Sequence, residues 1–163
     1  NKDSGESTKI SLQVARWVFY LTSIATVILL IAASSDILIS LFSEKFSPIS
    51  TALYVLSPGI ISLSFARVLA NDIAGRGDPT INTKIAAISL LVNTTINVLT
   101  IKEYGIIGVA AASSISYIVL SMLTVKAYSN ITGSSTIDIL RPHFEDIQTA
   151  RHLLRRVMGA FSK

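Results

Sequence analysis

The chain contains no cysteine, which excludes disulfides, thiolate metal ligands and a cysteine nucleophile. Histidine occurs only as His143 and His152, near the C-terminal end and at a spacing that makes a poor ligand pair, so no metal or other cofactor is expected. Charge is scarce: Asp, Glu, Lys and Arg make up 15% of the residues, where a soluble domain carries about a quarter. There is no paired-carboxylate constellation, no nucleophile beside a base and no phosphate-cradling glycine loop. Enzymatic activity is not expected.

What the chain has instead is apolar length. Half of its residues are hydrophobic and its mean hydropathy is +0.59, the composition of a protein that lives in a bilayer. Four runs are long enough to cross a hydrocarbon core of about 30 Å at about 1.5 Å per residue. They lie at about 17–33, 49–73, 81–101 and 106–128. Trp17 and Tyr20 sit at one end of the first, where amphipathic rings favour the headgroup level. The short segment DILISLFSEKF, Asp36 to Phe46, reads as an interfacial turn. Pro58 and Gly59 interrupt the second run and predict a kinked or broken helix, a structural hinge. GRGDP, with Gly75, Gly77 and Pro79, predicts a tight polar turn, and KEYG from Lys102 a second one. The expected fold is all-α: a polytopic membrane bundle of four transmembrane helices over residues 1–133, then a C-terminal tail, 134–163.

Cations mark the sides. Lys2, Lys9, Arg16, Arg76, Lys84 and Lys126 fall on the N-terminal arm, the central turn and the end of the last run, whereas Lys45 and Lys102 alone occupy the other two loops. By the positive-inside tendency the N-terminal arm, central turn and tail are expected on the cytoplasmic side of the cell membrane. The basic pI is thereby explained by topology, and without interleaved aromatic and basic residues no nucleic-acid partner is expected. After a polar linker, Ser129 to Thr136, the tail places Phe144, Ile147, Leu154, Met158 and Phe161 at helical spacing opposite Arg151, Arg155 and Arg156. This predicts a basic amphipathic helix, lying on anionic lipid or docking a cytoplasmic partner.

The polar residues inside the runs are the candidate functional groups. Asn82, Ser89, Asn93, Asn97 and Thr100 fall near one helical face. Amides in hydrocarbon must meet another helix or a wet cavity, because each unpaired group costs several kcal/mol there. Interhelical hydrogen bonding and a lining role both answer that need. In the fourth run Gly108, Ala112 and Ser116 form a small-residue ridge suited to close packing, with Ser113, Tyr117, Ser121 and Thr124 beside it. Arg67 lies too deep to be a loop charge; it either snorkels outward or faces a cavity as an anion contact. Asn71 and Asp72 follow as partners for it or as helix caps.

The order of these features resembles a known family. LYVLSPGIISLSFARVLANDIAGRGDP, LLVNTTINVLTIKEYGIIGVAAASSISYIV and a basic tail with FEDI are similar to the C-terminal part of the oligosaccharide and polysaccharide flippases. These belong to the multidrug/oligosaccharidyl-lipid/polysaccharide exporter superfamily. The match rests on Pro58 and Gly59, on Gly75, Gly77 and Pro79, on Asn93 with Asn97, and on the segment from Tyr104 to Tyr117. A proline that members often carry before the outer turn is absent from KEYG.

The resemblance implies a transporter of two helical bundles that moves a lipid-linked oligosaccharide or polysaccharide precursor across the cytoplasmic membrane by alternating access. Its partners would be the lipid bilayer, the lipid-linked glycan and further N-terminal helices of the same transporter. That the chain begins at Asn1, without Met or a signal-peptide pattern, suggests the C-terminal fragment of a longer polypeptide. For such a substrate Arg67 is the candidate phosphate contact, and Asn93, Asn97 and Ser113 contact sugar or close the bundle. Two other readings stay open: a multidrug cation antiporter of the same superfamily, for which the runs lack a mid-depth carboxylate, and a membrane scaffold that transports nothing.

Overall fold

The computed structural model describes residues 2–33, 40, 47–136 and 139. Three helices account for nearly all of them: α1, Lys2–Ala32; α2, Ser47–Gly75; and α3, Pro79–Thr132. Three stretches, Gly5–Ala32, Pro48–Gly75 and Pro79–Thr132, are long and apolar enough to cross a membrane. The amphipathic tail helix expected over 142–161 lies outside the described residues, as does the segment 36–46 apart from Ser40.

The first helix begins well before Trp17. The expected polar arm is its first half, because Leu12 and Ala15 recur at helical spacing and bury against α2. In α2 the backbone stays helical through Pro58, so of the kink or break expected there the helix shows no break. Proline removes one ladder donor, but here the turn is held by its neighbours: Ser57 Oγ donates to the Leu53 carbonyl at 2.6 Å, and the Gly59 N–H donates to Ser114 Oγ of α3 at 3.1 Å.

The GRGDP turn closes as its composition predicts. The Arg76 N–H reaches the Asp72 carbonyl at 3.0 Å, the Gly77 N–H reaches that of Ala74 at 3.1 Å, and Gly77 takes a φ of 98°. Pro79, whose missing N–H costs nothing in a first turn, opens α3.

At 54 residues α3 would be about 80 Å long if straight, far more than a bilayer core. It is not straight. Gly105 leaves the helical region with φ 53° and ψ −130°, and the helix folds there into two arms, 79–104 and 106–132. Ser89 Oγ donates to the Ser116 carbonyl at 2.8 Å, although 27 residues of straight helix would hold them about 40 Å apart. The third and fourth expected spans are therefore the two antiparallel arms of one bent element. Its second arm runs four residues into the expected linker. Gly133 then ends it with φ 69° and its N–H on the Ser129 carbonyl, while the Thr132 and Ser129 hydroxyls take the Tyr128 and Ser134 carbonyls.

Helix α2 is the middle of the assembly and packs on both α1 and α3. Leu12 and Ala15 of α1, Phe65, Leu69 and Ile73 of α2, and Val125 and Tyr128 of α3 meet with Ile139 in one buried cluster near the Gly75 turn. Large apolar side chains stand outside it, among them Leu21, Ile28, Ile31, Leu91, Val98 and Leu99. A surface that apolar suits lipid or neighbouring helices, not water.

Candidate functional site

The polar residues singled out on the first arm of α3 come together against its second arm. The Asn93 amide donates to Ser116 Oγ at 3.2 Å and, more weakly, to Ser113 Oγ at 3.4 Å. Its carbonyl oxygen accepts from the Asn97 amide at 2.9 Å, and Ser116 Oγ donates onward to the Ser113 carbonyl at 2.9 Å. Asn97, Asn93 and Ser116 thus form a continuous chain of hydrogen bonds across the hairpin. Asn82, further down the same arm, donates instead to the Ala70 carbonyl of α2 at 2.7 Å.

Small residues make this seam possible. A Cβ on Gly108 would lie 2.9 Å from the Thr100 carbonyl oxygen, and one on Gly59 only 2.5 Å from Ser114 Cα. Gly59 therefore seats α2 on the second arm of α3. Ala112 and Ser116 are buried between the arms, as the small-residue ridge predicts.

Two buried acceptors on this arm remain without a hydrogen bond from the described residues, Asn97 Oδ1 in the seam and Asn82 Oδ1 at its contact with α2. An amide oxygen carries two lone pairs and calls for a donor. With Asn93, Asn97, Ser113 and Ser116, the seam can hold hydroxyls by donating and accepting, but it has no titratable group with which to move a proton. Among the described residues no cluster of His, Asp and Glu is placed to hold a metal ion.

Arg67 stands apart from the seam. It is exposed, on a face of α2 away from buried Phe65, Ala66 and Leu69. Asp72, one of its expected partners, is engaged elsewhere, and Asn71 is exposed.

That engagement is a polar node at the Gly75 end of the helices, which sequence reasoning missed. Arg76 donates through Nε and a terminal nitrogen to Asp72 Oδ2 at 3.1 and 3.0 Å. The buried Tyr128 hydroxyl donates to the same oxygen at 2.7 Å. Arg76 also donates to Thr8 Oγ1 of α1 at 2.9 Å, and its guanidinium lies 5.9 Å from the centre of the Tyr128 ring. Burial works against the Arg76 charge, but the hydrogen bond and charge of Asp72 outweigh it and hold the guanidinium above its ordinary pKa. Asp72 and Arg76 are spaced one helical turn apart, which the sequence displays. Nothing local points to Tyr128 or Thr8.

Above this node a cavity of about 540 Å³ opens between α1, α2 and the second arm of α3, with Arg16, Tyr20, Phe65, Met122 and Val125 in its lining.

With this geometry in view, comparison with known proteins is specific. The family described as lipid II flippase MurJ matches residues 1–146. An uncharacterized membrane protein of Methanocaldococcus jannaschii is 31% identical over 120 residues, 72% of this chain and 24% of the relative. The chain thus spans about a quarter of the length of that relative. No solved structure matches.

Proposed function

The chain belongs to the MurJ lipid II flippase family, and from that premise we propose that it forms part of a transporter that flips lipid-linked oligosaccharide or polysaccharide precursors across the cytoplasmic membrane. Each arm of α3 crosses the bilayer, which makes four crossings in all. The start of α1, the Gly75–Pro79 turn and the tail face the cytoplasm, in keeping with the distribution of Lys and Arg. Further helices of the same protein complete the path, and the cycle is one of alternating access.

The observation that carries this reading is the hydroxyl and amide seam, unable to do acid–base chemistry yet holding a buried, unsatisfied Asn97 oxygen inside the hairpin. A glycan hydroxyl, or a donor from another helix of the bundle, satisfies it. Arg67 on the open face of α2 supplies a charge for the lipid phosphate, where a guanidinium offers paired donors. Pro58 lacks a ladder donor, so α2 can bend there between states once the Gly59 contact with Ser114 parts, with Gly75 and Gly77 relieving its far end.

The test is transport of a fluorescent lipid-linked oligosaccharide in proteoliposomes containing the whole protein. Arg67→Ala is expected to slow flipping by roughly tenfold or more, the loss of a charge-assisted contact, with Arg67→Lys intermediate. Normal flipping by Arg67→Ala at normal abundance would exclude the phosphate role.

A further inference from the structure

The cavity between α1, α2 and the second arm of α3 has two matching lips. On α1, Arg16 and Tyr20 stand one helical turn apart, and on the second arm Met122 and Lys126 do the same. Thr8, early in α1, and Tyr128, late in the second arm, both meet the node at the Gly75 turn, so the two helices run in opposite senses. Each cation therefore lies on the Gly75 side of its partner. Tyr20 and Met122 are 39% and 66% exposed, and the cavity opens to the surroundings between them. Trp17 beside Arg16, together with Tyr20, sets this end at the level of lipid headgroups. Inside, the lining is mainly apolar, with Phe65, Ile118 and Val125, and the Ser121 hydroxyl is turned onto its own helix at the Tyr117 carbonyl, 2.8 Å away. None of the described lining residues is acidic.

We propose that this cavity binds an anionic phospholipid of the surrounding bilayer, with one acyl chain in the apolar hollow and the phosphate between Arg16 and Lys126. The dimensions suit such a ligand. A volume of about 540 Å³ falls among those of sites that hold small molecules, about 300–1,000 Å³. From Ile118 to Val125 the lining runs along about 10 Å of helix, against about 15 Å for the hydrocarbon of one leaflet. The charge suits it too. Arg16 has further interactions of its own, but a guanidinium carries five N–H donors and can add a phosphate without giving those up, while Lys126 is exposed at the mouth. A zwitterionic lipid offers the same chain but brings its own ammonium group toward the two cations, so the anionic lipid is preferred. The site faces away from the groups assigned to the transported lipid: Phe65 and Arg67 are about 200° apart around α2, and Val125 and Ser116 about 180° apart around the second arm. It does not depend on the flippase reading.

The experiment is photolabelling of the whole protein in phosphatidylcholine vesicles that contain a trace of phosphatidylglycerol with a diazirine midway along one acyl chain. Labelled peptides are located and quantified by mass spectrometry, and phosphatidylcholine with the same diazirine chain is the reference probe. Phosphatidylglycerol is expected to label the segments around Tyr20 and from Ile118 to Met122 roughly tenfold more than the reference, the combined pull of two cations. Lys126→Gln and Arg16→Gln are each expected to lower that labelling about fivefold and to leave the reference labelling unchanged. Lys126→Arg, which keeps the charge, is expected to match the parent. Met122→Trp, which fills the mouth, is expected to lower labelling by both probes. Should Arg16→Gln fail to fold, Lys126→Gln at an exposed position carries the test alone. Equal labelling by the two probes, or labelling that Lys126→Gln leaves unaltered, would overturn the proposal. So would a cavity that takes up no label, which would mean that another helix fills it. Displacement of the label by excess lipid-linked oligosaccharide would also overturn it, by giving the cavity to the transported lipid.

Discussion

Gly59 and Gly105 are both indispensable glycines, for opposite reasons. At Gly59 the backbone is ordinary helix, but the space is gone: an added methyl would meet Ser114 Cα at 2.5 Å, and backbone cannot step aside as a flexible side chain can. Gly59→Ala must push α2 off the second arm and lose the bond to Ser114 Oγ. It is expected to cost about 1–3 kcal/mol, the usual penalty of overpacking, read as a lower melting temperature of the whole protein in detergent. A melting temperature equal to the parent's would mean that the contact is looser than drawn. Arg76 makes a related point about residues that only look interchangeable. Lysine would keep its charge but not the geometry that bonds Asp72 twice and Thr8 once.

At the scale of elements, the bend in α3 is the decisive feature, and it is conformational. Gly105 has open space around it, so a side chain would fit; what a Cβ forbids is the combination of φ 53° and ψ −130°. Gly105→Ala is therefore expected to strain the hairpin by about 1–3 kcal/mol and to loosen the Asn93–Ser116 seam. Faster hydrogen–deuterium exchange in the turn around Lys102 and in both arms is the observable, and unaltered exchange there would count against the bend. Much of this was legible beforehand: KEYG marked the turn, the asparagines marked one edge of the pair and the Gly108 ridge the other. At Pro58 the same local rules led us to expect a kink or a break; the helix is not broken there, because those rules price the lost donor but not the Ser57 and Ser114 hydroxyls that surround it.

For the whole molecule the hairpin makes a topological prediction. If each arm crosses the bilayer, the turn at Lys102 and the turn at Asp78 lie on opposite sides. Lys102→Cys is then expected to react with a membrane-impermeant maleimide in intact cells, and Asp78→Cys only after permeabilisation. Reaction of both from one side would mean that α3 enters and leaves by the same face. The apolar exterior of α1 and of the first arm of α3 is the kind of face that in a membrane meets lipid or neighbouring helices.

The sequence by itself determined that this is a helical membrane protein, where its main turns fall and which residues form a polar edge. Those properties depend on hydropathy and on neighbours within a few positions. Only the tertiary structure decided what that edge faces, that Gly59 is a packing contact, that Asp72 serves Arg76 and Tyr128, and that Arg67 stands outside the seam. The physical reason is separation along the chain. Gly59 and Ser114 are 55 residues apart and Asp72 and Tyr128 are 56, and such pairs are chosen by how helices pack, not by any local preference of the residues involved.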